Sequence, residues 1–205
     1  MIKALIFDLC DTIVRTAGVP GLLKLSGITG RYSAEEVENW FVHSEVFRAY
    51  ERGEVDTTTF FAAFCSDLEL CADADELNQA YEDLILHEID GMADLVRRLS
   101  SHYPLYALSN NNPLLWRGTQ RVCSVLGCFE HIFLSHEIGL LKPDSHAFFH
   151  VLAQIDCKPA EVILIDDNPL CIEAAEKLGM ATVLFSDAEN TARALATIPG
   201  VKKLA

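Results

Sequence analysis

Residues 1–14 read MIKALIFDLCDTIV. The apolar run Ala4-Leu5-Ile6-Phe7 stops abruptly at Asp8, and Leu9, Cys10, Asp11 and Thr12 follow. A short continuous apolar run that ends in a polar cluster is the pattern of a strand buried on both faces. With Ile2–Phe7 as the first, five such runs occur; the others are Leu105–Leu108, Ile132–Leu134, Val162–Ile165 and Ala181–Phe185. The last four alternate with helix-length segments, which predicts a parallel sheet with helices on both faces. Cys171, Ala174, Ala175 and Leu178 follow helical spacing, and Gly179 marks a helix stop. Pro143 and Asp144 mark a helix start ahead of Phe148, Phe149, Val151 and Leu152. The expected class is α/β, a Rossmann-like three-layer parallel-sheet core.

Residues 15–87 read differently. They are rich in Glu, Phe, Leu and Ala and show little strand pattern. Val37, Trp40, Phe41, Phe47 and Tyr50 recur at near-helical spacing and predict one amphipathic helix, with Ser33-Ala34-Glu35-Glu36 as a capping box at its start. Trp40, Phe41, Phe47, Phe60, Phe61 and Phe64 are the expected core of this lobe. The division is therefore a core of residues 1–14 and 88–205 with an inserted α-helical cap of residues 15–87.

Composition narrows the function classes. The chain has 205 residues, enough for one sizeable core or a core with an inserted lobe. Its net charge is −14 and no basic patch is visible, so no nucleic-acid partner is expected. An anionic small substrate then requires positive charge supplied locally at its site. Seven cysteines (Cys10, Cys65, Cys71, Cys123, Cys128, Cys157 and Cys171) are irregularly spaced without a C-x-x-C pair. Reduced thiols are the expectation. The first apolar run is too short for a signal peptide and no stretch reaches the length of a membrane span, so no membrane and a cytoplasmic location are expected, as monomer or homodimer.

Ligands of open parallel sheets bind beyond the carboxyl ends of the strands. Those ends carry Asp8, then Ser109-Asn110-Asn111-Asn112, then Ser135 followed by Gly139-Leu140-Leu141-Lys142-Pro143, then Asp166-Asp167-Asn168. Singly, each has a plain structural use as a turn, a cap or a solvated loop residue. The adjacent acids Asp166 and Asp167 repel one another unless a cation is present, or else one of them caps the next helix. Together the tips could assemble a nucleophilic carboxylate, a hydroxyl and amide donor, a lysine and an acid pair for a metal.

The set, in this order, resembles the haloacid-dehalogenase superfamily of aspartate-nucleophile hydrolases over nearly the whole chain. Ser135 to Asp144 is similar to that superfamily's third motif region. Tyr50-Glu51-Arg52-Gly53-Glu54-Val55 resembles a cap segment of the subgroup containing glucose-1-phosphate phosphatases and the phosphatase half of soluble epoxide hydrolases. The resemblance implies Asp8 as nucleophile and Mg²⁺ as cofactor, held by Asp8, the backbone carbonyl of Cys10 and Asp167, with Asp166 beside it. It implies Ser109, the Asn110 backbone and Lys142 as holders of phosphate oxygens, and a small phosphorylated metabolite, a sugar phosphate first, as substrate.

One departure lies in the opening stretch. Most phosphatases of the superfamily carry Asp, an acid/base group, where Cys10 stands. Asp11 could take that role only if the loop turned it inward. The implied activity is a Mg²⁺-dependent phosphatase working through an aspartyl-phosphate on Asp8. Two alternatives stand beside it. One is a haloacid dehalogenase, whose second motif Ser109-Asn110-Asn111-Asn112-Pro113 resembles; a phosphonate hydrolase is a related case that would need a cap lysine, and the cap has only Lys24. The other is a metal- and phosphate-binding protein of little or no activity, for which Cys10 argues. Cys10 as a nucleophile, Arg15, Arg48 and Arg52 as substrate contacts, and Trp116 at the entrance are further candidates, each with a surface or packing role as the plainer reading.

Overall fold

Ala4–Phe7 (β1) is buried along its whole length. In the computed structural model, which describes residues 1–25, 32–70 and 72–201, it is the middle of a five-stranded sheet. Two short strands follow in chain order, Val14–Thr16 (β2) and Ile85–Glu88 (β3), and then Leu105–Ser109 (β4), His131–Leu134 (β5), Val162–Asp166 (β6) and Ala181–Leu184 (β7). The main sheet runs β5-β4-β1-β6-β7 with every pair parallel. The five expected strands are all present, with ends shifted by one or two residues. Cys71 and residues 202–205 lie outside the described residues.

The strand alternation sorts the core into two layers. Leu5, Phe7, Leu105, Ala107, Ile163 and Ile165 pack on one side, against Met92, Leu95, Val96 and Leu99 of the helix Met92–Ser100. Ala4, Ile6, Leu108, Phe133, Val162 and Leu164 pack on the other, against Phe148, Val151 and Leu152 of the helix Ser145–Gln154 and Cys171, Ile172 and Ala175 of the helix Pro169–Lys177. The chain is therefore the expected three-layer α/β core. Among the described residues no helix is long and apolar enough to cross a membrane.

The inserted segment forms its own aromatic core. Phe60, Phe61, Phe64, Tyr50, Leu77 and Tyr81 are buried in it. The Tyr50 ring stacks on Phe60 at 4.5 Å and its hydroxyl lies 2.9 Å from Thr57 Oγ1. Trp40, Phe41 and Phe47 only partly join this core, contrary to the expectation. The capping box forms as expected, with Glu36 N–H donating to Ser33 Oγ at 3.2 Å and Ser33 N–H to Glu36 Oε2 at 2.8 Å. The single helix expected after it is instead two, Ala34–His43 and Glu45–Glu51. Ser44 is the reason: its hydroxyl accepts from Phe47 N–H at 3.2 Å and starts a new helix there.

The sequence shows no sign of the ribbon that joins the two lobes. β2 and β3 pair antiparallel, with Val14 opposite Glu88 and Arg15 opposite His87. It straddles both expected lobe boundaries. Strands of three and four residues with polar members carry too little alternation to read. Gly53, at φ 70°, makes a second contact: a β-carbon there would collide with the carbonyl of His136 in the core.

Glu51 ends the helix Glu45–Glu51, and burial pushes its carboxyl up from an ordinary 4.5 to about 7. Between those values the folded chain holds a proton that the unfolded chain releases, so stability falls as pH rises through that window. Glu51→Gln should therefore stabilise the protein by about 1–3 kcal/mol at pH 8 and by little at pH 4.5. Urea unfolding at the two pH values checks this; an equal effect at both would rule out a buried, titrating Glu51.

Candidate active site

β1, β4 and β6 lie side by side, so their carboxyl ends deliver Asp8, Ser109 and Asp166 to one edge. The Asp8 N–H extends the ladder, donating to Ile165 O at 2.9 Å. The pairing of Phe7 with Ile165 then sets Asp8 beside Asp166. Two buried carboxylates one strand apart need a cation between them. Lys142 supplies it. Its Nζ donates to Asp8 Oδ1 at 2.8 Å and to Asp166 Oδ2 at 2.6 Å, and its side chain is only 3% exposed.

Lys142 reaches this position because β4 holds its backbone. The Asn110 amide donates to Lys142 O at 2.8 Å and its Oδ1 accepts from Lys142 N–H at 2.8 Å. The neighbouring loop is latched separately. Ser135 Oγ accepts from Asn111 N–H and donates to Asn111 O, both at 2.9 Å. Asn112 caps the helix Pro113–Val122. The polar run 109–112 thus serves three different purposes, and neither the Asn110 clamp nor the Ser135 latch has a signal in the sequence beyond polar composition. Ser109 differs from both: its hydroxyl is fully buried, with no hydrogen bond to an oxygen or nitrogen and only the Cys10 thiol as a weak partner.

The acid pair also divides. Asn168, not an acid, caps the helix Pro169–Lys177, accepting from Leu170 N–H at 2.9 Å. Asp166 Oδ1 accepts from Asn168 N–H at 2.9 Å. Asp167 is exposed, with Thr12 Oγ1 at 3.5 Å. One oxygen each of Asp8, Asp166 and Asp167 lie within 4.8 Å of one another. Among the described residues Lys142 is the only cation touching them, so three ionised carboxylates leave two negative charges. That surplus, on hard oxygen donors, fits a divalent cation such as Mg²⁺. The buried Ser109 hydroxyl, which makes no hydrogen bond to an oxygen or nitrogen, fits an anionic ligand.

Charge and burial act together on these groups. Burial raises the Asp8 carboxyl, and Asp166 and Asp167 push it further while Lys142 opposes them. Burial alone would lower Lys142, but Asp8 and Asp166 outweigh it and the ammonium stays charged. Burial, Asp166 and Asp11 raise Asp167. Burial and the carboxylates of Asp8 and Asp11 push the Cys10 thiol far up, so it is protonated at neutral pH and no thiolate nucleophile.

Asp11 is turned to a structural task. It sits at φ 55°, in the left-handed region, and its carboxylate binds β2. Oδ1 accepts from Thr16 N–H at 3.1 Å and Arg15 Nη1 at 3.0 Å, and Oδ2 from Thr16 Oγ1 at 2.6 Å. Arg48 and Arg52 make surface ion pairs with Glu45 and Glu54, and Lys24 is exposed. Trp116 packs against the main core. None of these four is brought to the strand tips.

The sequence profile of haloacid dehalogenase-like hydrolases matches residues 2–179. Flavin mononucleotide hydrolase 1 of Arabidopsis thaliana is 24% identical over 95% of this chain and 76% of its own length. Sesquiterpene phosphatase astK of Aspergillus oryzae is 26% identical over 78% of this chain and 82% of its own. The chain also matches longer relatives, of which it spans 37% or less. An enzyme of Bacteroides thetaiotaomicron crystallised with magnesium and inorganic phosphate superposes with a TM-score of 0.77 at 22% identity, over 91% of this chain and 95% of that one.

Mg²⁺ titrated calorimetrically should bind at one site, and Asp167→Asn should weaken it by about tenfold or more, since ligand charge sets affinity at such centres. Because Asp167 is exposed, the variant folds normally; an unchanged isotherm would remove Asp167 from the ligand set.

Proposed function

This chain belongs to the haloacid dehalogenase-like hydrolase family, and on that premise we propose that it is a Mg²⁺-dependent phosphatase for a small phosphate monoester. The observation that carries the reading is the buried Lys142 ammonium bridging Asp8 and Asp166 at the edge where the buried Ser109 hydroxyl also ends. A carboxylate nucleophile splits one difficult displacement into two. An Asp8 oxygen attacks phosphorus, the ester P–O bond breaks and the alcohol oxygen leaves; water then attacks phosphorus and releases Asp8. Lys142, the Ser109 hydroxyl and the Asn110 N–H hold the non-bridging phosphate oxygens.

Mg²⁺ would be held by Asp8, Asp167 and the Cys10 carbonyl, with Asp166 in support, and when bound it neutralises charge on the phosphoryl group. The loop leaves the Cys10 carbonyl out of its own bridge, whose bonds run from Asp11 N–H to Val14 O and from Val14 N–H to Leu9 O. The leaving alcohol needs a proton. Asp11 is spent on Thr16 and Arg15, which leaves the Cys10 thiol or water as its source. A sugar phosphate as the substrate rests on subgroup resemblance alone. A dehalogenase reading is favoured by the Ser109–Pro113 motif, but the three-carboxylate cluster supports the metal-dependent reaction.

Phosphate release from small monoesters should require Mg²⁺ and be abolished by a chelator and by Asp8→Asn. Full phosphate release in chelator would overturn the metal dependence, and chloride release from 2-chloropropionate without metal would replace this reading with the dehalogenase one. Cys10→Asp should raise kcat on alkyl phosphates by about tenfold or more, restoring part of the ~10²–10⁴-fold that a positioned acid contributes. A variant no faster than wild type would show that proton supply does not limit turnover.

A further inference from the structure

Between the cap and the strand tips lies a cleft of about 290 Å³. It opens onto Cys10 and Asn110, the residues that follow β1 and β4 beside Asp8. Most of its wall is apolar: Val19, Leu22, Phe41, Phe47, Leu84 and Leu115. Phe41 and Phe47, expected inside the cap core, are only partly buried and line this wall instead. Their rings meet edge to face at 4.7 Å.

On the polar part of the wall, Asp11, Thr16 and Asn110 already hold hydrogen bonds. The Asp11 carboxylate accepts three hydrogen bonds, from Arg15 and twice from Thr16, and the last two occupy the Thr16 N–H and hydroxyl hydrogens. The Asn110 amide is clamped on both polar groups of the Lys142 backbone. Tyr81 contributes a ring packed edge-on against Phe60 and Phe61, with its phenol held neutral by burial. A polyol entering the cleft would exchange water for surfaces whose hydrogen bonds are made elsewhere, and groups buried without partners are penalised. An apolar group gains from the same wall.

We propose that the alcohol esterified to the phosphate is apolar, fills this cleft against Phe41, Phe47 and Leu22, and has about ten non-hydrogen atoms, taking roughly 30 Å³ for each. This inference rests on the phosphatase reading. It replaces the sugar phosphate with a hydrocarbon or aryl phosphate as the substrate class. The cleft then acts as a ruler, since each methylene placed on its wall adds binding until the space is full.

The test is a series of n-alkyl phosphates, from methyl to dodecyl, assayed with Mg²⁺ beside glucose 6-phosphate. kcat/KM should rise by about fourfold per methylene, the equivalent of ~0.8 kcal/mol each, and level off near ten non-hydrogen atoms, with glucose 6-phosphate no better than the shortest members. Phe47→Ser should reduce the gain per methylene. A flat series, or glucose 6-phosphate as the best substrate, would overturn the inference and leave the phosphatase reading standing. Absence of turnover with every ester would instead overturn the phosphatase reading. Calorimetry with methyl-, butyl- and octylphosphonate on the wild-type chain then decides for the cleft, where affinity rising with chain length upholds an apolar site and equal affinities reject it.

Discussion

The ammonium of Lys142 sits between two carboxylates in the middle of the sheet edge, and the rest of the site is arranged around that contact. Parallel register forces Asp8 and Asp166 together as soon as β1 and β6 pair. Unpaired, two such buried charges would repel and lose their hydration at once. With both bonds to Lys142 under 3 Å, the repulsion becomes a bridge. The bridge in turn demands that a lysine 24 residues before Asp166 be held in place. Asn110, from the strand on the other side of β1, does this through two bonds to the Lys142 backbone.

This division of tasks separates the charged half of the site from its apolar half. Asp8, Asp166, Asp167, Lys142 and Ser109 belong to the core and gather three carboxylates, an ammonium and a buried hydroxyl at one edge. The cap contributes aromatic and aliphatic surface over it. The two lobes are joined by the β2–β3 ribbon, and Asp11 ties the loop after β1 to that ribbon through Thr16. The residue one place past Cys10 therefore couples the loop bearing Asp8 to the neck of the cap. A bent backbone at φ 55° is part of this tie, and an Asp tolerates that conformation better than most residues.

Much of this was legible beforehand, for a physical reason in each case. A strand buried on both faces has to be continuously apolar, so the five strands of the sheet stand out, and their parallel direction follows from strand–helix alternation. The residues at the strand ends follow from the strands themselves. The ribbon did not show, because short strands of mixed polarity carry no period. The break at Ser44 did not show, because a cap residue inside an amphipathic pattern leaves the spacing of Val37, Trp40 and Phe41 intact. The destinations of Asn110 and Ser135 did not show either, since an amide or hydroxyl carries no mark of its distant partner.

By itself, the sequence put Asp8, Ser109 and the pair Asp166-Asp167 at the carboxyl ends of parallel strands, where they could meet, because apolar runs set the strands and parallel strands align their ends; the place of Lys142 beside them followed from the family resemblance. Tertiary structure alone decided what each group does on arrival. It bonded Lys142 to Asp8 and Asp166, made Asn168 the helix cap in place of an acid, turned Asp11 to Thr16 and brought Phe41 and Phe47 to the cleft wall. The reason is that a hydrogen bond or an ion pair depends on angstrom-scale distances between side chains far apart in the chain, and hydrophobic patterning carries no information on that scale.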